Sequence, residues 1–179
     1  MSRAMPAALL IVDLQNALLR GAFQEDAVIE NVRSLIASAR ASKALVVYVQ
    51  HNHASFKPMM KGNPGWEIHS LLKPTPNDLR LEKEASDAFY GTSLEAELRD
   101  RGITRIVLCG MMTEYCIDTT ARSALSHGFD VTLAGDAHTT GDSTLRAADI
   151  IAHHNAALPN VVHPTRSIGV LQSAEIVFV

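Results

Sequence analysis

The chain has 179 residues, 47% of them hydrophobic and 20% charged, with a net charge of -3. That is enough apolar material for one substantial core, so a single domain over residues 1–179 is expected. With no Lys/Arg cluster and a slight negative charge, the chain offers nothing to a polyanion, which excludes nucleic acid as a partner. The longest apolar run, Ala7 to Val12, is far short of the roughly 20 residues a bilayer requires, and Asp13 ends it. No small-residue cleavage site follows, so neither a membrane span nor a signal peptide is expected. Two cysteines seven positions apart make no disulfide framework, and a reducing cytoplasm is the natural setting.

Met1 to Met5 reads as a loose tail. Ala7-Ala8-Leu9-Leu10-Ile11-Val12 is continuously apolar, the mark of a strand buried on both faces, with Asp13 at its carboxyl end. Val28, Val32, Leu35, Ile36 and Ala39 form one helical face, and Leu45 to Val49 is a second buried strand. From His51 to Asn77 the pattern breaks around Pro58, Gly62, Pro64, Gly65, Trp66, Pro74 and Pro76; so long a loop predicts a lid or binding wall. Leu79 to Lys83 reads as a short strand. Thr92 and Glu95 match a capping box, predicting a helix from there to Gly102. Ile106 to Cys109 is a fourth strand, followed by a turn and a helix whose apolar positions run from Ile117 to Leu125 and stop at Gly128. Val131 to Ala134 is a fifth strand, Ser143 to His153 a helix, and Val161-Val162 a sixth strand. Ile168 to Val179 is apolar enough to pack. This βα alternation predicts a parallel sheet covered by helices on both faces.

Three polar residues lie just past the ends of separate strands: Asp13, Lys83 and Cys116. In open α/β sheets ligands bind outside the carboxyl ends of the strands. A thiol, a carboxylate and an ammonium gathered there form an acyl-transfer set, with cysteine attacking a carbonyl and aspartate moving the proton. Taken singly, each has an ordinary structural explanation: Cys116 as a buried thiol, Asp13 as the cap of a helix near Gln15, Lys83 as one charge on a solvated edge. Cys116 is also expected near the positive end of a helix, where a thiol pKa falls.

Three stretches carry a family resemblance: Ile11-Val12-Asp13-Leu14-Gln15-Asn16; Lys83 with Asp87-Ala88-Phe89-Tyr90-Gly91-Thr92-Ser93-Leu94; and Gly110-Met111-Met112-Thr113-Glu114-Tyr115-Cys116. Asp136-Ala137 adds an acidic-small pair after the next strand. With these, nearly the whole chain resembles the isochorismatase-like cysteine hydrolases, the group that includes nicotinamidases and carbamoylsarcosine amidases. The resemblance implies a three-layer α/β/α fold with a six-stranded, Rossmann-like parallel sheet. It implies a triad of Asp13 as base, Lys83, and Cys116 as nucleophile. It also implies a cis peptide at Met111-Met112, with the backbone N–H groups of Met112 and Cys116 as oxyanion hole.

The activity so implied is hydrolysis of a C–N bond in a small amide, ureide or carbamoyl compound through a thioester acyl-enzyme. The alternatives are vinyl-ether cleavage of the isochorismatase type and a thiol-based ligand or redox module without turnover. Many nicotinamidases carry an Asp-x-His metal pair; here Gln50-His51-Asn52-His53 lacks the aspartate. His51 and His53 share a side by alternation, but two histidines without a carboxylate read as pocket polar groups, so neither metal nor cofactor is expected. Gln15, Phe23, His51, Trp66, Phe89, Tyr90, Tyr115 and Ile117 are the candidate pocket wall. Related hydrolases form dimers or tetramers, so a homo-oligomer is expected, with a hint in the apolar tail Ile176 to Val179.

Overall fold

The computed structural model describes residues 6–178; the tail expected at Met1 to Met5 lies outside them. Six strands, β1 (Ala7–Val12), β2 (Leu45–His51), β3 (Leu79–Lys83), β4 (Arg105–Met111), β5 (Asp130–Thr139) and β6 (Ile168–Leu171), form one sheet in the order β3-β2-β1-β4-β5-β6. Every neighbouring pair is parallel. Parallel strands need crossovers: α1 (Asn16–Leu19), α2 (Glu25–Ala41), α3 (Leu94–Asp100), α4 (Asp118–Ser126) and α5 (Ala147–Ala157) supply all but the one from β2 to β3, which is the long loop with two 3-10 turns, Lys57–Met59 and Ser70–Leu72.

The unbroken apolar run of β1 is explained by its central place. Ala8, Leu10 and Val12 face a core with Leu94 and Leu98 of α3 and Ala121, Ala124 and Leu125 of α4. Ala7, Leu9 and Ile11 face the opposite core, with Val28 to Ala39 of α2 and the tail residues Ile176 and Phe178. Alternate side chains thus bury on both faces, giving three layers. Ile176 and Phe178 are spent on this chain's own core.

The chain winds outward from β1 to β3, then returns to β4 on the other side of β1 and winds outward again. The order therefore reverses between β1 and β4, and the crevice of such a sheet opens at the carboxyl ends of that pair. Asp13 and the segment bearing Cys116 leave from those two ends.

Some elements depart from the sequence expectation. The sixth strand is Ile168–Leu171, not Val161-Val162. Val161 still donates to Leu158 O at the end of the preceding helical turn, Val162 is 94% exposed, and His163 Nδ1 turns the chain by accepting from the Thr165 and Arg166 N–H groups. α5 starts at Ala147 rather than near Ser143, because the Asp142 carboxylate accepts the Ala147 N–H at 2.8 Å. The expected capping box does not form: Thr92 donates to Ala88 O, Glu95 pairs with Arg99, and α3 begins at Leu94. β5 runs to Thr139, well beyond Ala134, through an irregularity in its register with β4 between Leu108 and Gly110. In that irregularity Asp136 accepts from Ser173 N and Oγ and from Asn31 through its carbonyl, fastening the C-terminal segment and α2.

Candidate active site

The residue that follows β1 has a backbone unusual for its type: Asp13 has φ 55°. The left-handed turn is held by Asp13 N–H to Val49 O and Gln15 N–H to Asp13 O, and it aims the carboxyl group inward. Asp13 does not cap α1; Gln15 occupies the N-cap position, with no side-chain cap. Gln15 is fully buried and acts as a staple. Its Nε2 donates to the carbonyls of His51 at 3.2 Å and Trp66 at 2.7 Å, and its Oε1 accepts the His51 N–H at 2.8 Å. It thereby ties the end of β1 to the end of β2 and to the long loop.

Lys83 closes β3, two strands from β1, opposite His51 in register. Its side chain crosses the end of β2. The ammonium lies 2.7 Å from Asp13 Oδ2, 2.9 Å from Ala85 O, 3.2 Å from Cys116 Sγ and 3.2 Å from His51 Nδ1. A surface Lys pair would be worth little; this one has both side chains at 1% exposure or less.

Cys116 comes from the third direction. β4 ends at Met111, the Met111-Met112 peptide is cis, and a π-helical turn over Thr113–Ile117 leads into α4. Gly110, at φ 127°, lies against the backbone of Val12, so the two strands nearly touch where the site begins. This close approach brings a residue six positions past Gly110 into contact with groups from β1 and β3.

The electrostatics differ from the sequence expectation for the thiol. Cys116 is pushed up to about 12, first by burial and then by the Asp13 charge, which together outweigh the opposing pull of Lys83. The resting group is a thiol that needs a base. Asp13 is raised above the ordinary carboxylate value by burial, against the opposing pull of Lys83. His51 is lowered to about 4 by burial and by the neighbouring Lys83 and His53, and is neutral at physiological pH. Its Nδ1 can therefore accept from the ammonium.

Asp13, His51 and Cys116 present ligand atoms within 4.8 Å of one another. The Lys83 ammonium sits within hydrogen-bond distance of all three residues and fills the place a cation would take. His53 turns its Nδ1 to the Ser55 and Phe56 N–H groups. A cavity of about 520 Å³ opens beside the cluster, lined by His51, Asn52, His53, Ala54, Met60, Lys61 and Glu84.

The other candidate pocket residues divide by position. Phe89 is in the core, stacked on His127 at 4.6 Å and near Phe129, and Ile117 is fully buried in the same core. Trp66 is buried under Lys61, its carbonyl held by Gln15 and Gln50. Tyr115, beside Cys116, Tyr90 and Phe23 are exposed, and the Phe23 backbone is laced to Thr139 and Thr140. The sequence reading passed over Glu84 and Lys61 in the cavity wall, and the group that buried His138 and Thr113 form with half-buried Asn155 behind the turn. Only the positions of His138 in β5 and Asn155 in α5 could have signalled the latter.

A doubly wound parallel sheet with a thiol, an ammonium and a carboxylate at its switch point defines the class: an α/β protein with a thiol-centred site. The family description "Isochorismatase domain" matches residues 7–162, and the chain belongs to that family. It is 39% identical over 138 residues to a streptothricin hydrolase of Streptomyces noursei, covering 75% of this chain and 50% of that protein. The chain thus spans about half the length of that relative. A ureidoacrylate amidohydrolase of Variovorax paradoxus is 27% identical, over 82% of this chain and 74% of its own. Among solved structures, N-carbamoylsarcosine amidase from Thermoplasma acidophilum superposes with a TM-score of 0.81 at 29% identity, covering 96% of this chain and 99% of that one. Among the described residues no helix is long and apolar enough to cross a membrane.

Proposed function

We propose that this protein is a cysteine-dependent hydrolase that cleaves a C–N bond of a small amide, ureide or carbamoyl compound. The observation that carries the reading is the position of Lys83 Nζ, 2.7 Å from Asp13 and 3.2 Å from Cys116. Asp13 takes the thiol proton as Cys116 Sγ attacks the carbonyl carbon. Lys83 holds the carboxylate in place and offsets the negative charge that develops. The backbone N–H groups of Met112 and Cys116 receive the tetrahedral oxyanion; donors so placed typically contribute about 3 kcal/mol each. Asp13 then returns the proton to the leaving nitrogen, leaving a thioester, and water completes the cycle with the same base.

The named activities of the three similar proteins, a streptothricin hydrolase, a ureidoacrylate amidohydrolase and a carbamoylsarcosine amidase, support C–N cleavage in this chain. The cavity beside His51 is the place for the substrate, and its mixed polar lining suits a small, hydrogen-bonding compound. Two free thiols support a reducing, cytoplasmic setting. Exposed Phe56, Met60 and Tyr115 support a homo-oligomer that covers them.

The test is ammonia release from a panel of small amides, ureides and carbamates, with Cys116→Ala as control. Release that vanishes in Cys116→Ala, with a mass adduct on Cys116 of the parent protein, is the expected result. Full release by Cys116→Ala would remove the proposal.

A further inference from the structure

β5 ends in His138 and Thr139, and Thr140 follows directly; all three are at 1% exposure or less. Two of the three side chains reach back to the turn that presents Cys116. His138 stands opposite Gly110 in register, and its Nδ1 lies 2.9 Å from Thr113 Oγ1. Its Nε2 lies 2.8 Å from Asn155 Oδ1 on α5. Thr140 Oγ1 donates to Glu114 Oε1 at 3.0 Å. Thr113 and Glu114, the first two residues of the π-helical turn, are thus both tied to one strand end.

The hydrogens in this chain are fixed by elimination. Asn155 Nδ2 donates to Gly135 O at 3.0 Å, so the amide oxygen is the atom that faces the imidazole. An amide oxygen only accepts; Nε2 must therefore carry the hydrogen. In the neutral ring Nδ1 is then an acceptor, and the Thr113 hydroxyl must donate to it. Burial keeps the His138 imidazole below its ordinary pKa, in accord with a neutral ring. A buried histidine with both nitrogens engaged sets an orientation as well as filling volume. The orientation it sets is that of Thr113, which directly follows Met112 and precedes Cys116 by three residues.

We propose that His138, locked as the Nε2–H tautomer by Asn155, is a positioning residue that acts through Thr113 to hold Met112 and Cys116 in register with Asp13 and Lys83. This rests on the reading of Cys116 as nucleophile. It assigns His138 and Asn155 no contact with substrate. Their effect falls on the rate of acyl transfer, since a displacement of about 1 Å in a reacting group can cost on the order of a hundredfold.

The experiment has a structural arm and a kinetic arm. Imidazole NMR of the protein with ¹⁵N-labelled histidine is expected to show His138 as the Nε2–H tautomer at pH 7; an Nδ1–H or doubly protonated ring overturns the assignment. For kinetics the probe is p-nitrophenyl acetate, with acylation of Cys116 read as nitrophenolate release. Thr113→Val, which keeps shape and removes the hydroxyl, should slow acylation roughly tenfold to a hundredfold, and Thr113→Ser should restore it to within about threefold. The Thr113→Val/His138→Leu double variant should be no slower than the slower single variant, because the two act as a unit. A Thr113→Val protein as fast as the parent, beside a silent Cys116→Ala, overturns the relay alone. Single effects that multiply in the double variant overturn it as well. Acylation of Cys116→Ala at the parent rate overturns instead the nucleophile reading beneath it.

Discussion

Lys83 Nζ and Asp13 Oδ2 lie 2.7 Å apart with both side chains withdrawn from solvent, so each is the other's main compensation for burial. Breaking such a pair from one side leaves an unpaired buried charge, which typically costs about 3–5 kcal/mol. Lys83→Met should show a loss of that size by urea unfolding at pH 7.5. The sign of its pH dependence is set by Asp13, whose folded pKa is raised above the unfolded value by burial and rises further without the ammonium. A carboxyl raised on folding costs stability as pH rises from the ordinary carboxylate range through the folded value. The difference between Lys83→Met and the parent should therefore shrink at pH 5. A penalty equal at both pH values would refute this account of the pair.

His51 gives the opposite type of dependence. Its folded pKa is lowered to about 4, while an unfolded histidine titrates near 6.5. The unfolded chain thus takes up the proton first, and the stability His51 contributes, complete above about pH 6.5, is lost as pH falls toward 4. His51→Gln removes this dependence and should flatten the fall in urea midpoint between pH 7 and pH 5. An unchanged slope in His51→Gln would show that the imidazole takes up its proton at the same pH in the folded and unfolded chain, and that burial does not hold it neutral.

The sheet and most of its strands were legible because a doubly wound fold writes itself as apolar runs separated by helical periodicity. β1 and β2 are central, buried on both faces and nearly free of polar interruptions. β6 was misplaced because it is an edge strand of four residues with only Ile168 fully buried, and so carries almost no periodic signal. Asp13, Lys83 and Cys116 were legible as strand-end residues, and the structure brings Asp13 and Cys116 within hydrogen-bond reach of the Lys83 ammonium. What composition could not convey was field against burial. A cysteine at a strand-to-helix turn reads as an acidic thiol, yet the carboxylate beside it and the low-dielectric surroundings push it the other way. Gln15 and Phe89 were readable as neighbours of triad residues; that one is a staple and the other a stacked core ring depends on contacts with residues 36 and 38 positions away.

Gly110 stands opposite Val12 in the pairing of β4 with β1. A Cβ built there overlaps the Val12 carbonyl and comes within 2.7 Å of Val12 N, and φ 127° is itself unfavourable for any side chain. Backbone cannot rotate aside as a flexible side chain can. Gly110→Ala should therefore cost at least about 3 kcal/mol, the upper end for overpacked sites, and shift the turn that follows. Gly141→Ala, where a Cβ meets nothing within 4 Å, is the control and should unfold at the parent's midpoint. If the two variants were equally stable, the close contact of β1 and β4 would not be the constraint described.

Cys116 at about 12 is almost wholly protonated near neutrality. Its reaction with iodoacetamide should therefore be slower at pH 7 than that of a free cysteine, and should rise about tenfold per pH unit from pH 7 to 9 without a plateau. Cys109, fully buried and raised further by that burial, should label after it. Lys83→Met should slow labelling of Cys116, because the ammonium is the one neighbour that lowers the thiol. Asp13→Asn removes the carboxylate that raises it and should speed alkylation, yet the same variant should lose about a hundredfold to ten-thousandfold in amide turnover, because the attacking thiol has lost its base. Opposite signs for alkylation and turnover in one variant separate a base from a group that merely tunes the thiol. A labelling rate that levels off below pH 8 would show a preformed thiolate, and Asp13 would then have no proton to take.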